Sequence, residues 1–205
     1  QRTLLWPRGK VLGGSSSINA MCYIRGVPAD FDDWAAQGAT GWHWGAVLPW
    51  FRRSEHNARG ADALHGADGP LHVSDLRHVN ELSHAFVQAG VDAGYAANHD
   101  FNGPTQAGFG LYQVTQKDGA RCSAAVAYLD PARSRRNLAI RTGANVSRIT
   151  FERGRANGVT CAIGGQGFHI LHVCRNTPRW CVRCRYTTAT RSTACWSPKC
   201  RPSKS

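Results

Sequence analysis

The chain has 205 residues, 42% hydrophobic and 19% charged, with a formal net charge of +12. These proportions suit one or two globular domains and exclude a disordered chain; no run of about 18 apolar residues is available to span a membrane. The positive charge invites a nucleic-acid reading, but residues 1–152 hold 15 Lys/Arg and all 13 Asp/Glu, whereas residues 153–205 hold 10 Lys/Arg and no acid. A nearly neutral body gives no electrostatic reason to expect a polyanion, so no nucleic-acid partner is expected. Cys22, Cys122 and Cys161 are scattered, while Cys174, Cys181, Cys184, Cys195 and Cys200 crowd the basic tail. With no secretory signal evident, the three scattered residues are expected to be reduced thiols.

In chain order, residues 1–28 read as a Gly/Ser-rich loop followed by an apolar, helix-compatible run. Asp30 is placed to cap a short helix. Val47, Leu48 and Phe51 recur at helical spacing, with Pro49 expected near the start of that helix. Trp34, Trp42 and Trp44 are expected to pack in a core, as large aromatics generally do. Residues 58–70 form a loop, and Pro70 to Val73 a short strand. Asn80 to Gly94 is the best helix, with Leu82, Ala85, Phe86 and Ala89 as its apolar stripe and Gly94 at its stop. A turn-rich loop follows, then a strand from Phe109 to Gln116 turning at Lys117-Asp118-Gly119. Ser123 is a plausible N-cap for the helix AAVAYL, which Pro131 ends. Leu138 to Arg141 and Val146 to Phe151 read as strands, and Asn157-Gly158 as the hairpin turn into Val159 to Ile163. Beyond about Gln166 the periodicity dissolves into an Arg-, Ser-, Thr- and Cys-rich stretch.

The segment with the most chemistry is LGGSSS. Gly13 and Gly14 lack a Cβ and let the backbone approach a ligand. Successive N–H groups in such a turn form an anion-binding concavity. Hydroxyls of Ser15 and Ser16 can add hydrogen bonds to phosphate oxygens, and a helix starting near Ser17 would aim its N-terminus at the same anion. On composition alone the loop is equally a plain connector, and it lacks the lysine of a P-loop.

The whole string GKVLGGSSSINAMCYIRGVPADFD, Gly9 to Asp32, resembles the first signature of the glucose–methanol–choline (GMC) oxidoreductase family. The resemblance continues in order through PADFDDWAAQGATGWHWGAVLPWFRRSEHN, GPLHV, DFNGPTQAGFGLYQVTQKDGARCSAAVAYLDPA and NLAIRTGANVSRITFE. It covers roughly residues 2–164 and is nearest the bacterial choline and primary-alcohol dehydrogenases. The fold it implies is α/β: part of a Rossmann-like FAD-binding domain with part of an antiparallel substrate-binding sheet. On this basis residues 1–57 and 134–166 are expected to belong to the FAD-binding side and residues 58–133 to mix in substrate-side excursions. The tail from 167 is expected to be unrelated, the product of a frameshift or a disordered stretch.

The resemblance implies FAD as cofactor. Val11, Leu12, Gly13, Gly14, Ser15 and Ser16 would run along its pyrophosphate and ribityl chain. Asn19, Ala20, Met21 and Cys22 would pass beside the flavin ring, and the backbone of Val146 would meet the adenine end. Met21 and Cys22 also read as simple core residues, and Val146 is a strand residue in either case. Relatives that attach FAD covalently use a histidine where this chain has Ile18, so attachment is expected to be noncovalent. The implied reaction is oxidation of an alcohol CH–OH group to the aldehyde, with hydride passing to the flavin. The partners implied are an alcohol substrate and an electron acceptor such as a quinone or carrier, in the cytoplasm with or without membrane association.

Two family parts are not matched here. The dinucleotide-binding G-x-G-x-x-G turn and the catalytic histidine have no counterpart, so no catalytic residue is assigned and the chain is expected to be an inactive fragment. His43, His56, His65, His72, His78, His84 and His99 read as surface or structural. Two alternatives stand beside the enzyme reading. One is a noncatalytic folded remnant. The other is a basic tail in which Cys181, Cys184, Cys195 and Cys200 hold structural zinc or touch nucleic acid. Outside that alternative no metal site is expected.

Overall fold

The computed structural model describes residues 2–171, 185–186 and 194–195. The chain divides into two compact units, residues 1–134 and 135–205. Helices and strands are mixed, in agreement with the α/β class expected.

In the first unit a 3-10 turn at Gly14–Ser17 leads into an extended segment, not the helix-compatible run or the helix near Ser17 that the sequence suggested. Pairing accounts for this. Cys22 bridges Val114, the Met21 carbonyl accepts from Thr115 N–H at 2.9 Å, and Tyr23 N–H donates to the Gln113 carbonyl at 2.9 Å. The aromatic and β-branched residues Tyr23 and Ile24 favour that pleated environment.

Helix α1 (Pro28–Ala36) opens on a proline, whose missing N–H costs nothing in the first turn. Asp30 sits inside this turn rather than at its N-cap, and its carboxylate accepts from Val27 N–H at 2.9 Å. Helix α2 (Trp44–Ser54) has Pro49 in its interior rather than near its start, where it removes one helical hydrogen bond. The Asp32 carboxylate accepts from Trp44 N–H at 2.9 Å and caps α2 from α1. Between the helices, Phe31 is buried and meets Trp34 and Phe51 edge-on and Trp44 at a tilt, with ring centroids 5.3–5.7 Å apart. The tryptophans are less enclosed than expected: Trp34 and Trp42 are 49% and 53% exposed, because they rim the cluster that Phe31 fills.

Strands β1 (Glu55–Asn57) and β2 (Leu71–Val73) pair in parallel, with His56 opposite His72. Helix α3 (Glu81–Asp92) begins where Asn80 Oδ1 accepts from Leu82 N–H at 2.9 Å, and Gly94 follows its end at φ +93°. Its stripe does not point inward as expected. Leu82 and Phe86 are 77% and 68% exposed, while Ser83, Val87 and Gly90 are the more enclosed positions. Gly90 decides this face, since a Cβ there would meet the Phe109 ring.

Residues 109–115 make only isolated bridges, at Phe109 and Val114. The ladder itself is confined to the hairpin of β3 (Gln116–Lys117) and β4 (Ala120–Arg121). Asp118 and Gly119 turn it at φ +53° and +81°, the mirror-image turn that suits tight hairpins. After Ser123 the chain forms a π-helical turn, Ala125–Leu129, and then a 3-10 turn, Asp130–Ala132. The helical turn thus stops at Leu129, just before Pro131 as expected, and Pro131 sits in the first residues of the second turn, where its N–H is not required.

The second unit is an antiparallel meander, β5 (Ala144–Glu152), β6 (Arg155–Ile163) and β7 (Gln166–Leu171). Its turns are Arg153-Gly154 and Gly164-Gly165, all at positive φ. Asn157-Gly158 is not the turn: both residues lie in β6, with Gly158 opposite Thr150. The observed turn sets Phe151 against Ala156, whereas a turn at Asn157-Gly158 would set Phe151 opposite Gly164 and lose that side-chain pair. Leu138 to Arg141 forms no strand, and regular pairing runs past Gln166 to Leu171. Two short strands, β8 (Arg185–Tyr186) and β9 (Ala194–Cys195), also pair. The proposed zinc-binding cysteines Cys181, Cys184 and Cys200 lie outside the described residues, as does the Cys195 side chain.

Candidate cofactor site

The loop around Gly13 is held by its own hydroxyls. Gly14 N–H donates to the Val11 carbonyl at 2.8 Å, closing a turn in which Gly13 and Gly14 stand at φ +87° and +57°. Ser16 Oγ donates to the Gly13 carbonyl at 2.5 Å and accepts from Ala124 N–H at 2.9 Å. Ser17 Oγ donates to the Leu12 carbonyl at 2.8 Å. The Ser16 proton is thus donated within the loop. Ser15 Oγ accepts from Gly9 N–H at 3.2 Å, which leaves its own proton for an outside acceptor.

The two glycines serve different needs. A Cβ on Gly13 would stand 2.5 Å from Ser17 Oγ and 3.2 Å from both Ala125 N and Ser123 Oγ. A Cβ on Gly14 would meet nothing within 4 Å. Gly13 is packed against the protein, and Gly14 faces open space.

Asn19 to Cys22 leave the loop along an exposed edge. Arg121 Nη1 donates to Ser16 O at 3.0 Å and to Asn19 Oδ1 at 2.7 Å, and Asn19 Oδ1 also accepts from Met21 N–H at 3.1 Å. Met21 stands at φ +64°, a left-handed conformation that a side chain adopts only where its surroundings force it. Val11, Ser15, Asn19, Ala20 and Cys22 are exposed, while Leu12, Gly13, Gly14, Ser16 and Met21 are half-buried. These residues form one continuous shelf in the first unit. Val146 lies in the second unit, exposed on β5. Arg121 is the addition the sequence did not suggest; it comes from a hairpin 105 residues after Ser16, a separation with no local signature.

Beside the shelf lies a buried polar cluster, also unforeseen. Arg25 and Glu55 pair at 2.6 Å with side chains 2% and 0% exposed. Glu55 further accepts from Asn57 Nδ2 at 3.1 Å and Gly66 N–H at 3.0 Å, and faces His65 Nδ1 at 3.0 Å. His65 Nε2 faces Asp100 Oδ2 at 3.0 Å. Burial pushes the Glu55 carboxyl up, but its hydrogen bonds and the Arg25 charge outweigh burial and leave it below its ordinary value. The hydrogen bond to Glu55 raises the His65 pKa, against the opposing effect of burial, and Asp100 adds to the rise. Of the histidines read as surface or structural, His65 is the deeply enclosed one, and spacings of 10 and 35 residues to its partners gave no hint of it.

Among the described residues, Cys22, Cys122 and Cys161 are free thiols, no group of three His, Cys, Asp or Glu side chains is arranged to hold a metal ion, and no helix is long and apolar enough to cross a membrane.

A family profile described as GMC oxidoreductase matches residues 1–182. An alcohol dehydrogenase [acceptor] from Pseudomonas putida is 50% identical over 161 residues, covering 78% of this chain and 29% of that protein. An oxygen-dependent choline dehydrogenase from Sinorhizobium fredii is 51% identical over 166 residues, covering 80% and 30%. The crystal structure of pyridoxine 4-oxidase from Mesorbium loti superposes with a TM-score of 0.74 at 34% identity, over 81% of this chain and 33% of that one. The chain thus spans about 30% of the length of the curated relatives it matches.

Proposed function

From the chain's membership of the GMC oxidoreductase family, we propose that it is part of an enzyme that oxidises an alcohol CH–OH group to the aldehyde with FAD as hydride acceptor. The observation that carries this reading is the Gly13-Gly14 shelf within a sequence 50% identical to an alcohol dehydrogenase. FAD, when bound, supplies the two-electron acceptor for the hydride.

The residues present fit such a group. The open side of Gly14 admits a ligand to the backbone, and the free Ser15 proton is available to a phosphate oxygen. Arg121 adds positive charge beside the loop, favourable to a diphosphate. In this proposal Val11 to Ser16 hold the pyrophosphate and ribityl chain. Asn19, Ala20, Met21 and Cys22 lie along the flavin ring, and Val146 meets the adenine end through its backbone. Ile18 offers no nucleophile, which supports noncovalent attachment.

Residues 1–57 and 134–166 are assigned to the FAD-binding side and 58–133 in part to the substrate side. The substrate is a choline-like or primary alcohol, and the acceptor a quinone or carrier, with oxygen as the alternative that the Sinorhizobium relative's name raises. The free thiols fit a cytoplasmic setting.

For these 205 residues by themselves we propose weak flavin binding and no turnover, since Val11, Ser15, Asn19 and Ala20 form an exposed shelf with little to cover a ligand. Titrating the chain into FAD and following flavin fluorescence tests the site. Saturable quenching that Gly14→Ala weakens supports it. Quenching unaffected by Gly14→Ala, or none at millimolar protein, contradicts it.

A further inference from the structure

The buried ionic chain around Glu55 has no part in the cofactor reading so far, and its charges can be counted. Arg25 carries one positive charge, and Glu55 and Asp100 carry two negative ones. With a neutral His65 the cluster keeps an uncompensated negative charge, which the 32% exposed Asp100 side chain shares with water; with an imidazolium it is balanced at the buried Glu55 as well.

The geometry points the same way. Nδ1 of His65 lies 3.0 Å from Glu55 Oε1, and Nε2 lies 3.0 Å from Asp100 Oδ2. A neutral ring donates to one of these carboxylates, while the imidazolium donates to both. Asn57 Nδ2, also near Nδ1, does not compete, because its two hydrogens go to Glu55 Oε1 and Gln113 Oε1. Two further charged groups meet the His65 backbone: Arg52 Nε donates to its carbonyl at 3.4 Å, and Asp62 Oδ1 accepts from its N–H at 2.7 Å.

Both carboxylates lead to the same stretch of chain. Glu55 holds Arg25, whose guanidinium also donates to the Leu64 carbonyl at 2.7 Å and lies over the Phe51 ring. Asp100 Oδ1 accepts from Asn102 N–H at 2.9 Å. Asn102 in turn accepts from Arg25 N–H at 2.8 Å and donates to the Tyr23 carbonyl at 3.0 Å. The two routes from one imidazole therefore converge on Tyr23 to Arg25, immediately after the left-handed corner at Met21.

We propose that His65, as the imidazolium, is a positioning residue for the Met21–Arg25 segment, acting through Glu55–Arg25 on one side and Asp100–Asn102 on the other. The register of the flavin-side residues then depends on one proton. This functional meaning rests on the reading of Asn19 to Cys22 as flavin-side. The hydrogen bond that His65 donates to Glu55 and the nearby Asp100 raise the His65 pKa above its ordinary 6.5, so the cation is present below that value and lost as pH rises through the raised one.

Hydrogen exchange on the full 205-residue chain without flavin, from about pH 5.5 to about pH 9 and corrected for intrinsic rates, tests the proposal. The reporting amides are Tyr23 and Arg25, with Ala93 at the end of α3 as control. Their protection is expected to fall by about tenfold or more as His65 deprotonates, with Ala93 unchanged. In His65→Gln the same amides should exchange faster and without that step. A merely structural histidine would give faster exchange while leaving a step in place. A flat wild-type profile, or a step that survives His65→Gln, overturns the proposal. Should His65→Gln not fold, Asp100→Asn decides: a step moved to lower pH supports the proposal, and an unmoved step overturns it. A step present in a chain that does not bind FAD would count against the cofactor reading and leave the positioning role standing.

Discussion

Replacing Gly13 by alanine puts a methyl group 2.5 Å from Ser17 Oγ and 3.2 Å from Ala125 N, at a backbone φ of +87°. The left-handed conformation costs an L-residue about 1–2 kcal/mol. The crowding falls on a hydroxyl that donates to the Leu12 carbonyl, and displacing it forfeits about 0.5–1.5 kcal/mol more. Gly13→Ala should therefore destabilise the first unit by about 1.5–3.5 kcal/mol. Gly14→Ala carries the backbone cost alone, about 1–2 kcal/mol, because its new Cβ meets nothing. Urea unfolding followed by tryptophan fluorescence suits the comparison, since Trp34, Trp42, Trp44 and Trp50 all lie in this unit. At an m-value of about 1–3 kcal/mol/M the Gly13→Ala midpoint should fall by roughly 1 M, further than that of Gly14→Ala. The order should reverse in the flavin titration. There Gly14→Ala, which fills the open side of the shelf, should weaken binding more than its stability loss explains. Equal midpoints for the two variants, or a larger loss in Gly14→Ala, would refute the assignment of a packed and an open glycine.

Other consequences follow from single contacts. Glu55→Gln leaves the buried Arg25 without its counter-ion and should cost about 3–5 kcal/mol in urea unfolding near pH 7. With Glu55 below its ordinary 4.5, its contribution should be full above that value and lost as pH falls through the lowered one, so acid unfolding of the variant should be less steep than that of wild type. Phe31→Ala empties the centre of the α1–α2 aromatic cluster and should cost about 3–5 kcal/mol by the same unfolding assay. Asn80→Ala removes the cap of α3 and should cost about 1 kcal/mol, read as faster amide exchange confined to the first turn of that helix.

The sequence located α2 and α3, the strand ending at Val73 and the Gly13-Gly14 turn, because each depends on residues close along the chain. It failed where a distant partner decides. The run after Ser17 is extended because Gln113 and Thr115 pair with it, and within residues 18–27 only the weak β preference of Tyr23 and Ile24 points that way. The stripe of α3 was found, but its facing was not, since Phe109 seated on Gly90 sets it. Asn157-Gly158 carried the stronger turn chemistry, yet Arg153-Gly154 gives β5 and β6 the better cross-strand pairs. The Arg25–Glu55–His65–Asp100 chain was invisible for the same reason: its members come from separate segments and share no spacing that a pattern could register.

The claim that the Gly9–Asp32 stretch is a flavin site is tested most directly by the hydrogen-exchange footprint of FAD on the 205-residue chain, at millimolar FAD so that weak binding is saturated. Slower exchange is expected at residues 11–22 and around Val146, with α3 unchanged. Slower exchange confined to other segments, or no difference at all between the free and FAD-saturated chain, would contradict it.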